Sequence, residues 1–378
     1  MTGDSSTADN GLMAARSSTA AGGSMGQAGE FGFLAALLPL LSGRPAGAPE
    51  LTAAVLVPAG DDAAELEAPG GTVLASTDVL VEGRHFRREW TDAFLLGRKV
   101  AAVNLADIMA MGGRPTALLV GLAAPADLAV EWALELGRGL HAEAVAAGAA
   151  LVGGDTVATD GPIVVSVTVL GCSVSGRVVL RSGATSGDVV ALGVGPAGLG
   201  ASAAGLALLQ AHGRAAAELP GCASAVAAHL LPRPPYELGP LAAQAGAGAM
   251  CDVSDGLLAD VGHLARASGV VVELQSALLA PGPVLLAAAA GLGLAPGPAR
   301  EAAQSWVFTG GEDHALVACF RAAAKLPSGF TVIGRVVAPG APGGGGPGVA
   351  DGTGWAGGAV LLDGQPWIGR AGHDHFHG

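Results

Sequence analysis

The 378 residues carry 19 Lys+Arg against 32 Asp+Glu, a formal net charge of −13, and this excess of acid argues against nucleic acid or an anionic membrane as partner. Hydrophobic residues make up 51% and charged residues only 13%, so a large core is available and each carboxylate beside an apolar run stands out; the length suggests two domains. No apolar run reaches the ~18 residues of a membrane span; the nearest, Phe31–Leu41, is interrupted by Pro39.

Residues 1–27 are small and polar and read as a disordered tail with no secretory signal, and Met25 is an alternative start. Gly29–Leu41 has helical apolar spacing. Val55–Ala64 is a short apolar run opening into a glycine turn and two aspartates, Asp61 and Asp62. A buried strand at 73–77 ends in the cluster Ser76, Thr77, Asp78, with His85 on the loop beyond. Asp92–Gly112 reads as a helix stopped by Gly112, Gly113 and Pro115, and Asn104 and Asp107, three apart, share a face of it. A strand at Ala117–Leu122, a helix at Leu128–Ala147 and a strand at Ala149–Val152 follow, the last running into Gly153-Gly154-Asp155-Thr156. Ile163–Gly171 is the clearest strand, rich in β-branched residues.

A second unit is expected from Ser173 onward. It holds strands at Asp188–Gly193, Ala249–Val253, Val270–Leu274, His314–Phe320, Thr331–Val337 and near Ala359–Leu362. Helices are expected at Ala201–His212, Leu238–Ala245 and Leu257–Ser268, while 213–235 leaves its boundaries open. Pro339–Gly358 is a Gly/Pro-rich insertion, and a His-rich tail follows the last strand. Strands alternating with helices in both halves predict two α/β domains, 28–172 and 173–378.

The familiar phosphate signatures are absent. With lysine only at Lys99 and Lys325, a GxxxxGK[ST] loop has nowhere to sit. The GxGxxG at Gly193–Gly198 lacks a second strand ending in an acidic residue, so it reads as a tight strand-to-helix turn. Cys172, Cys222, Cys251 and Cys319 stand far apart with no CxxC, which argues against zinc and disulfides and fits a reducing cytosol. What repeats is the aspartate at a strand end or glycine turn: Asp61/Asp62, Asp78, Asp107, Asp155, Asp252/Asp255, Glu312/Asp313. One such residue is an ordinary cap or turn; converging carboxylates need cations, and oxygen-only ligands favour Mg²⁺. The residues therefore point to phosphoryl chemistry supported by several Mg²⁺ ions. His85 reads equally as a satisfied loop histidine, and Arg181 reads as an ordinary surface arginine.

In order, GDDAA (60–64), STDVLVEGRHF (76–86), AVNLADIMAMGGRP (102–115), LVGGDT (151–156), LRSGATSGD (180–188), SAAGLALL (202–209), DVSDGLLADVGHLARASG (252–269), GGEDHAL (310–316) and DHF (374–376) resemble the thiamine-monophosphate kinase family across residues 29–376. The resemblance implies a two-domain PurM-like α/β fold of the aminoimidazole-ribonucleotide-synthetase superfamily. Its N-terminal domain would close a β-barrel with a second copy in a cytoplasmic homodimer. It also implies transfer of the ATP γ-phosphoryl onto thiamine monophosphate. Carried over by position, the Mg²⁺ ligands are Asp62, Ser76, Thr77, Asp78, Asp107, Asp155, Asp252 and Asp255. The ATP contacts are Gly154, Asp155, Arg181 and Ser254, and the acceptor contacts are His85, Glu312 and His373.

Four positions, in three motifs, depart from the family pattern. His373 replaces an aromatic residue, His314 and Ala315 replace Tyr and Glu, and Ala201 replaces an Asp beside the glycine turn. They leave the metal set intact and bear on acceptor binding. Three superfamily relatives fit less well. A selenophosphate synthetase needs an N-terminal Cys, the hydrogenase-maturation protein a C-terminal one, and an aminoimidazole-ribonucleotide synthetase lacks the VEGxHF and GGED pairing. A catalytically silent nucleotide-binding scaffold has no need of the Asp set.

Overall fold

The computed structural model describes residues 23–41, 47–57, 65–174, 176–340, 358–367 and 372. Asp61, Asp62, His373 and most of the Gly/Pro-rich insertion lie outside them. The chain forms two compact units. Unit 1 runs to Gly71 and takes Ala75–Asn104 and Pro115–Leu170; unit 2 takes Thr72–Leu74, Leu105–Arg114 and everything from Gly171. The helix across 93–110 starts in the first unit and ends in the second, which no single sequence boundary near residue 173 anticipates.

Unit 1 contains a helix α1 (Met25–Leu41), a strand pair β1 (Val55–Val57) and β2 (Glu65–Leu66), and the strand β3 (Leu74–Val81). Residues 25–27, expected in the tail, open α1, and Pro39 lies inside it. Then come α2 (Ala93–Ala110), β4 (Gly113–Ala124), α3 (Val130–Ala146), β5 (Ala150–Ala158) and β6 (Val164–Ser173). The large sheet has the order β3-β6-β4-β5, with β4 and β5 parallel. Its inner face is apolar by alternation: on β6, Val165, Val167 and Val169 are each fully buried. At ~1.5–3 kcal/mol per buried side chain, those three alone fix which way the strand faces.

Helices α2 and α3 cross where both carry glycine. A Cβ at Gly97 would overlap the Leu136 carbonyl, and one at Gly139 would overlap the Phe94 carbonyl. The pair is locked further by Arg98, which bonds Glu143 at 2.7–2.8 Å.

Unit 2 continues with β7 (Val189–Gly193), α4 (Ala201–His212), α5 (Ala223–Leu230), α6 (Leu238–Gln244), β8 (Ala249–Val253) and α7 (Leu257–Ser268). It ends with β9 (Val271–Leu274), α8 (Pro283–Gly291), α9 (Pro296–Thr309), β10 (Ala315–Phe320), β11 (Phe330–Val337), β12 (Val360–Leu362) and β13 (Gln365–Pro366). These strands form one sheet, β13-β12-β9-β11-β7-β10-β8, antiparallel except for β12 on β9. The core packs Met109, Val179, Met250, Leu316 and Phe320, with Phe330 edge-on to Phe320 at 5.5 Å. Strands β8 and β10 are buried at every position; β10 reads as an unbroken apolar run and β8 as one broken only by Asp252.

Candidate active site

Within unit 1, the stretch after Ala75 is strand throughout, so side chains alternate between faces. Ser76 and Asp78 take one side and Thr77 the other. The backbone at Asp78 is fixed by the buried Asn104, whose Oδ1 accepts the Asp78 N–H at 2.9 Å and whose amide donates to Val100 O. Asn104 therefore positions the strand. Thr77 Oγ1 donates to Val167 O at 2.9 Å and lies 3.3 Å from Thr168 Oγ1, which leaves oxygen lone pairs for a cation.

Asp155 was expected beyond the strand end, beside a glycine turn. Instead β5 runs through Gly153–Thr156, with Gly121 paired to Asp155 and Ala123 to Val157. Gly154 has to be glycine here, because a Cβ would overlap the Val120 carbonyl. Since Gly121 faces Ser166 across the sheet, Asp155 belongs to the same face as Thr168 and Thr77. That face is the outer one, where Val79, Leu119 and Val157 stand 46%, 39% and 61% exposed.

Beyond β3 the chain turns at Gly83 (φ 81°), and Gly83 N–H donates to Phe86 O. His85 Nδ1 accepts the Val81 N–H at 3.0 Å, so the neutral ring carries its proton on Nε2. Lys99, 3% exposed, donates to the His85 carbonyl at 3.3 Å. One of the two lysines is thus spent holding this loop.

Unit 2 holds Asp107, Arg181, Asp252, Ser254, Asp255 and Glu312. Asp252 ends β8, and Ser254-Asp255-Gly256 turns into α7. Gly256 has φ 126°, and a Cβ there would come within 2.8 Å of Thr309 C and O. The turn is held by a residue that sequence reasoning passed over. Asp260 Oδ2 accepts both the Asp255 N–H (3.0 Å) and the Gly256 N–H (3.1 Å). Burial and the Asp252 charge push the Asp260 carboxyl up to about 7, against the pull of those amides. The signal was an aspartate four residues into a helix whose preceding residue, Gly256, has no side chain to cap it.

The Gly310–Asp313 segment lies against this turn: Glu312 N–H donates to Ser254 O and His314 N–H to Val253 O. Glu312 (φ 61°) and His314 (φ 50°) adopt the left-handed region that non-glycine residues avoid. Buried His314 places Nδ1 3.1 Å from Asp252 Oδ2. Burial opposes its charge, but the Asp252 hydrogen bond and the charges of Asp252, Glu312 and Asp107 raise its pKa overall. The contact is with Asp252; Glu312 and Asp107 act on the imidazole through their charge.

Asp313 does not join them. Its buried carboxylate accepts Gly200 N–H (2.5 Å) and Ser202 N–H (3.0 Å), capping the start of α4. Burial pushes it up to about 7. Arg181 is exposed, and its carbonyl is clamped by Ser268 Oγ at 3.0 Å.

The donor set suits Mg²⁺, which takes one or two carboxylates and completes its shell with water and substrate phosphate oxygens. Among the described residues no three His, Cys, Asp or Glu side chains close on a point to hold an ion by themselves.

The AIR synthase related protein, N-terminal domain, matches residues 60–173. The chain is 48% identical over 287 residues to thiamine-monophosphate kinase from Mycobacterium tuberculosis, covering 75% of this chain and 80% of that one. Its likeness to the Corynebacterium glutamicum thiamine-monophosphate kinase is 38% over 281 residues, 73% and 80% of the two chains. The chain belongs to the thiamine-monophosphate kinase family. The crystal structure of the Stenotrophomonas maltophilia family member aligns with a TM-score of 0.66 at 32% identity, covering 83% of this chain and 92% of that one. AaThiL complexed with AMPPCP and TMP aligns with a TM-score of 0.66 at 28% identity, covering 92% and 98%. The hydrogenase maturation protein HypE in complex with ATP shares the fold at 17% identity and a TM-score of 0.59, covering 83% and 87%. The expected α/β superfamily fold is confirmed by these alignments.

Proposed function

We propose that this protein phosphorylates thiamine monophosphate to thiamine diphosphate with ATP. Family membership at 48% identity carries the reading, and the aspartates on β3, α2, β5 and β8 support it. An oxygen of the acceptor phosphate forms the new P–O bond as the β,γ-bridging bond breaks and ADP leaves. The attacking oxygen is already ionised at neutral pH, so no strong base is needed. Positioning and charge neutralisation are the protein's task.

Asp62, Ser76, Thr77, Asp78, Asp107, Asp155, Asp252 and Asp255 are the proposed metal-holding oxygens. Bound Mg²⁺ supplies the positive charge that a chain with two lysines lacks. Gly154, Asp155, Arg181 and Ser254 are assigned to ATP. His85 and Glu312, with His373, are assigned to the acceptor: the Nε2–H of His85 suits a phosphate oxygen, and the Glu312 carboxylate suits the cationic base. No helix among the described residues is long and apolar enough to cross a membrane; a cytoplasmic homodimer is proposed. Its supporting feature is the outer face of the unit 1 sheet, where Val79, Leu119 and Val157 await cover.

The test is direct: purified protein with ATP, Mg²⁺ and thiamine monophosphate should yield thiamine diphosphate and ADP. ATP binding without product would refute the kinase reading and favour a nucleotide-binding scaffold.

A further inference from the structure

His229 lies at the end of α5, outside every motif that carries the family resemblance, yet it is 4% exposed and faces polar groups. Its Nδ1 is 3.3 Å from Glu312 Oε2 and 3.2 Å from Ser202 Oγ. A carboxylate only accepts, so Nδ1 attracts it when that nitrogen carries the ring proton, and the same nitrogen is hydrogen-bonded with Ser202 Oγ. Ser202 is itself fixed, because its N–H is capped by Asp313. Glu312 is fixed from the other side by its N–H on Ser254 O. Its side chain keeps 33% exposure. The result is a carboxylate aimed in advance, with surface left over for a ligand.

We propose that His229 is a positioning residue for acceptor recognition. It holds the Glu312 carboxylate in the orientation that receives the cationic, amine-bearing heteroaromatic part of the acceptor, with Ser202 fixing the ring. The inference rests on the assignment of Glu312 to the acceptor. Without the imidazole, the carboxylate regains rotamer freedom that must be lost again on binding. The cost falls on acceptor affinity and leaves ATP untouched.

Connectivity supplies a discriminating pair of variants. The amide nitrogen of Asn sits on Cγ, as Nδ1 does, whereas that of Gln sits one atom further out. His229→Ala and His229→Gln should raise KM for thiamine monophosphate, and its Kd by calorimetry, about tenfold, the scale of one hydrogen bond to a charged group. KM for ATP and kcat should stay within about twofold. His229→Asn should recover most of the lost affinity. Glu312→Gln is the control. If it weakens acceptor binding and His229→Ala does not, the positioning role is overturned while the Glu312 assignment stands. If Glu312→Gln leaves acceptor binding unchanged, both fall. Equal losses in kcat and both KM values across the three His229 variants, with lowered melting temperatures, would show a merely structural histidine and overturn the proposal.

Discussion

Replacing Asp260 by asparagine should stabilise the metal-free protein, and increasingly so as pH rises. Both amides that Asp260 holds, those of Asp255 and Gly256, donate to the same oxygen. Asparagine keeps one oxygen for them and removes the buried charge. The carboxyl titrates at about 7 in the folded chain against 3.8 as its ordinary value. Folding therefore takes up a proton between those values, and the stability of the wild type falls as pH climbs through them, levelling above 7. Each tenfold change in proton affinity is worth ~1.4 kcal/mol, so the penalty removed is about 1.6 kcal/mol at pH 5 and about 4 kcal/mol at pH 8. Asp260→Ala separates charge from hydrogen bonding: it strands two amides and should destabilise by about 2–4 kcal/mol at pH 5. Urea melts in EDTA at pH 5, 6, 7 and 8 give the curves. A difference between wild type and Asp260→Asn that does not grow with pH, or a less stable Asp260→Asn at pH 8, would refute the reasoning.

Three further outcomes are expected. Asp107→Asn should lower kcat at least about a hundredfold with an unchanged melting temperature, on the scale of losing an electrostatic contact to the transferring phosphoryl group; near-normal thiamine diphosphate formation would remove Asp107 from the metal set. Gly256→Ala should cost about 2–4 kcal/mol in a denaturant melt, since its Cβ meets Thr309 at 2.8 Å at a φ of 126°. Gly139→Ala should destabilise by about 1–3 kcal/mol or more by prying α3 from α2, and a melt superimposable on wild type would show that the crossing can yield.

Most strands were legible because their cores are unbroken apolar or β-branched runs, as in β6 and β10. The Gly-Gly-Asp-Thr stretch misled for a physical reason: glycine signals a turn locally, whereas here Gly154 makes room for the Val120 carbonyl of the neighbouring strand. The helices α5 and α8 hid in Ala- and Pro-rich sequence, where apolar spacing has no polar face to contrast with, and α9 begins on a Pro-Gly-Pro opening that reads as a loop. Among the candidate site residues, Asp78, Asp252 and Asp255 were singled out as strand-end aspartates, though Asp78 and Asp252 lie within β3 and β8. Asn104 was visible on the face of Asp107, but its work on the Asp78 backbone depends on a strand 26 residues away. His229 lay outside every motif and Asp260 passed unnoticed inside one, because what they do is set by partners that only folding brings near. Asp313 carried a false signal: its position beside Glu312 suggested a ligand, and its carboxylate is consumed by α4.

That last arrangement bears on how the chain is made. The cap of α4 comes from a residue 111 positions further along. On the ribosome, the first turn of this helix emerges long before its cap, with Gly200 and Ser202 amides served only by water. This end of α4 therefore cannot set until Asp313 has left the exit tunnel and β10 has paired, and a nascent chain halted short of that point carries a frayed helix there.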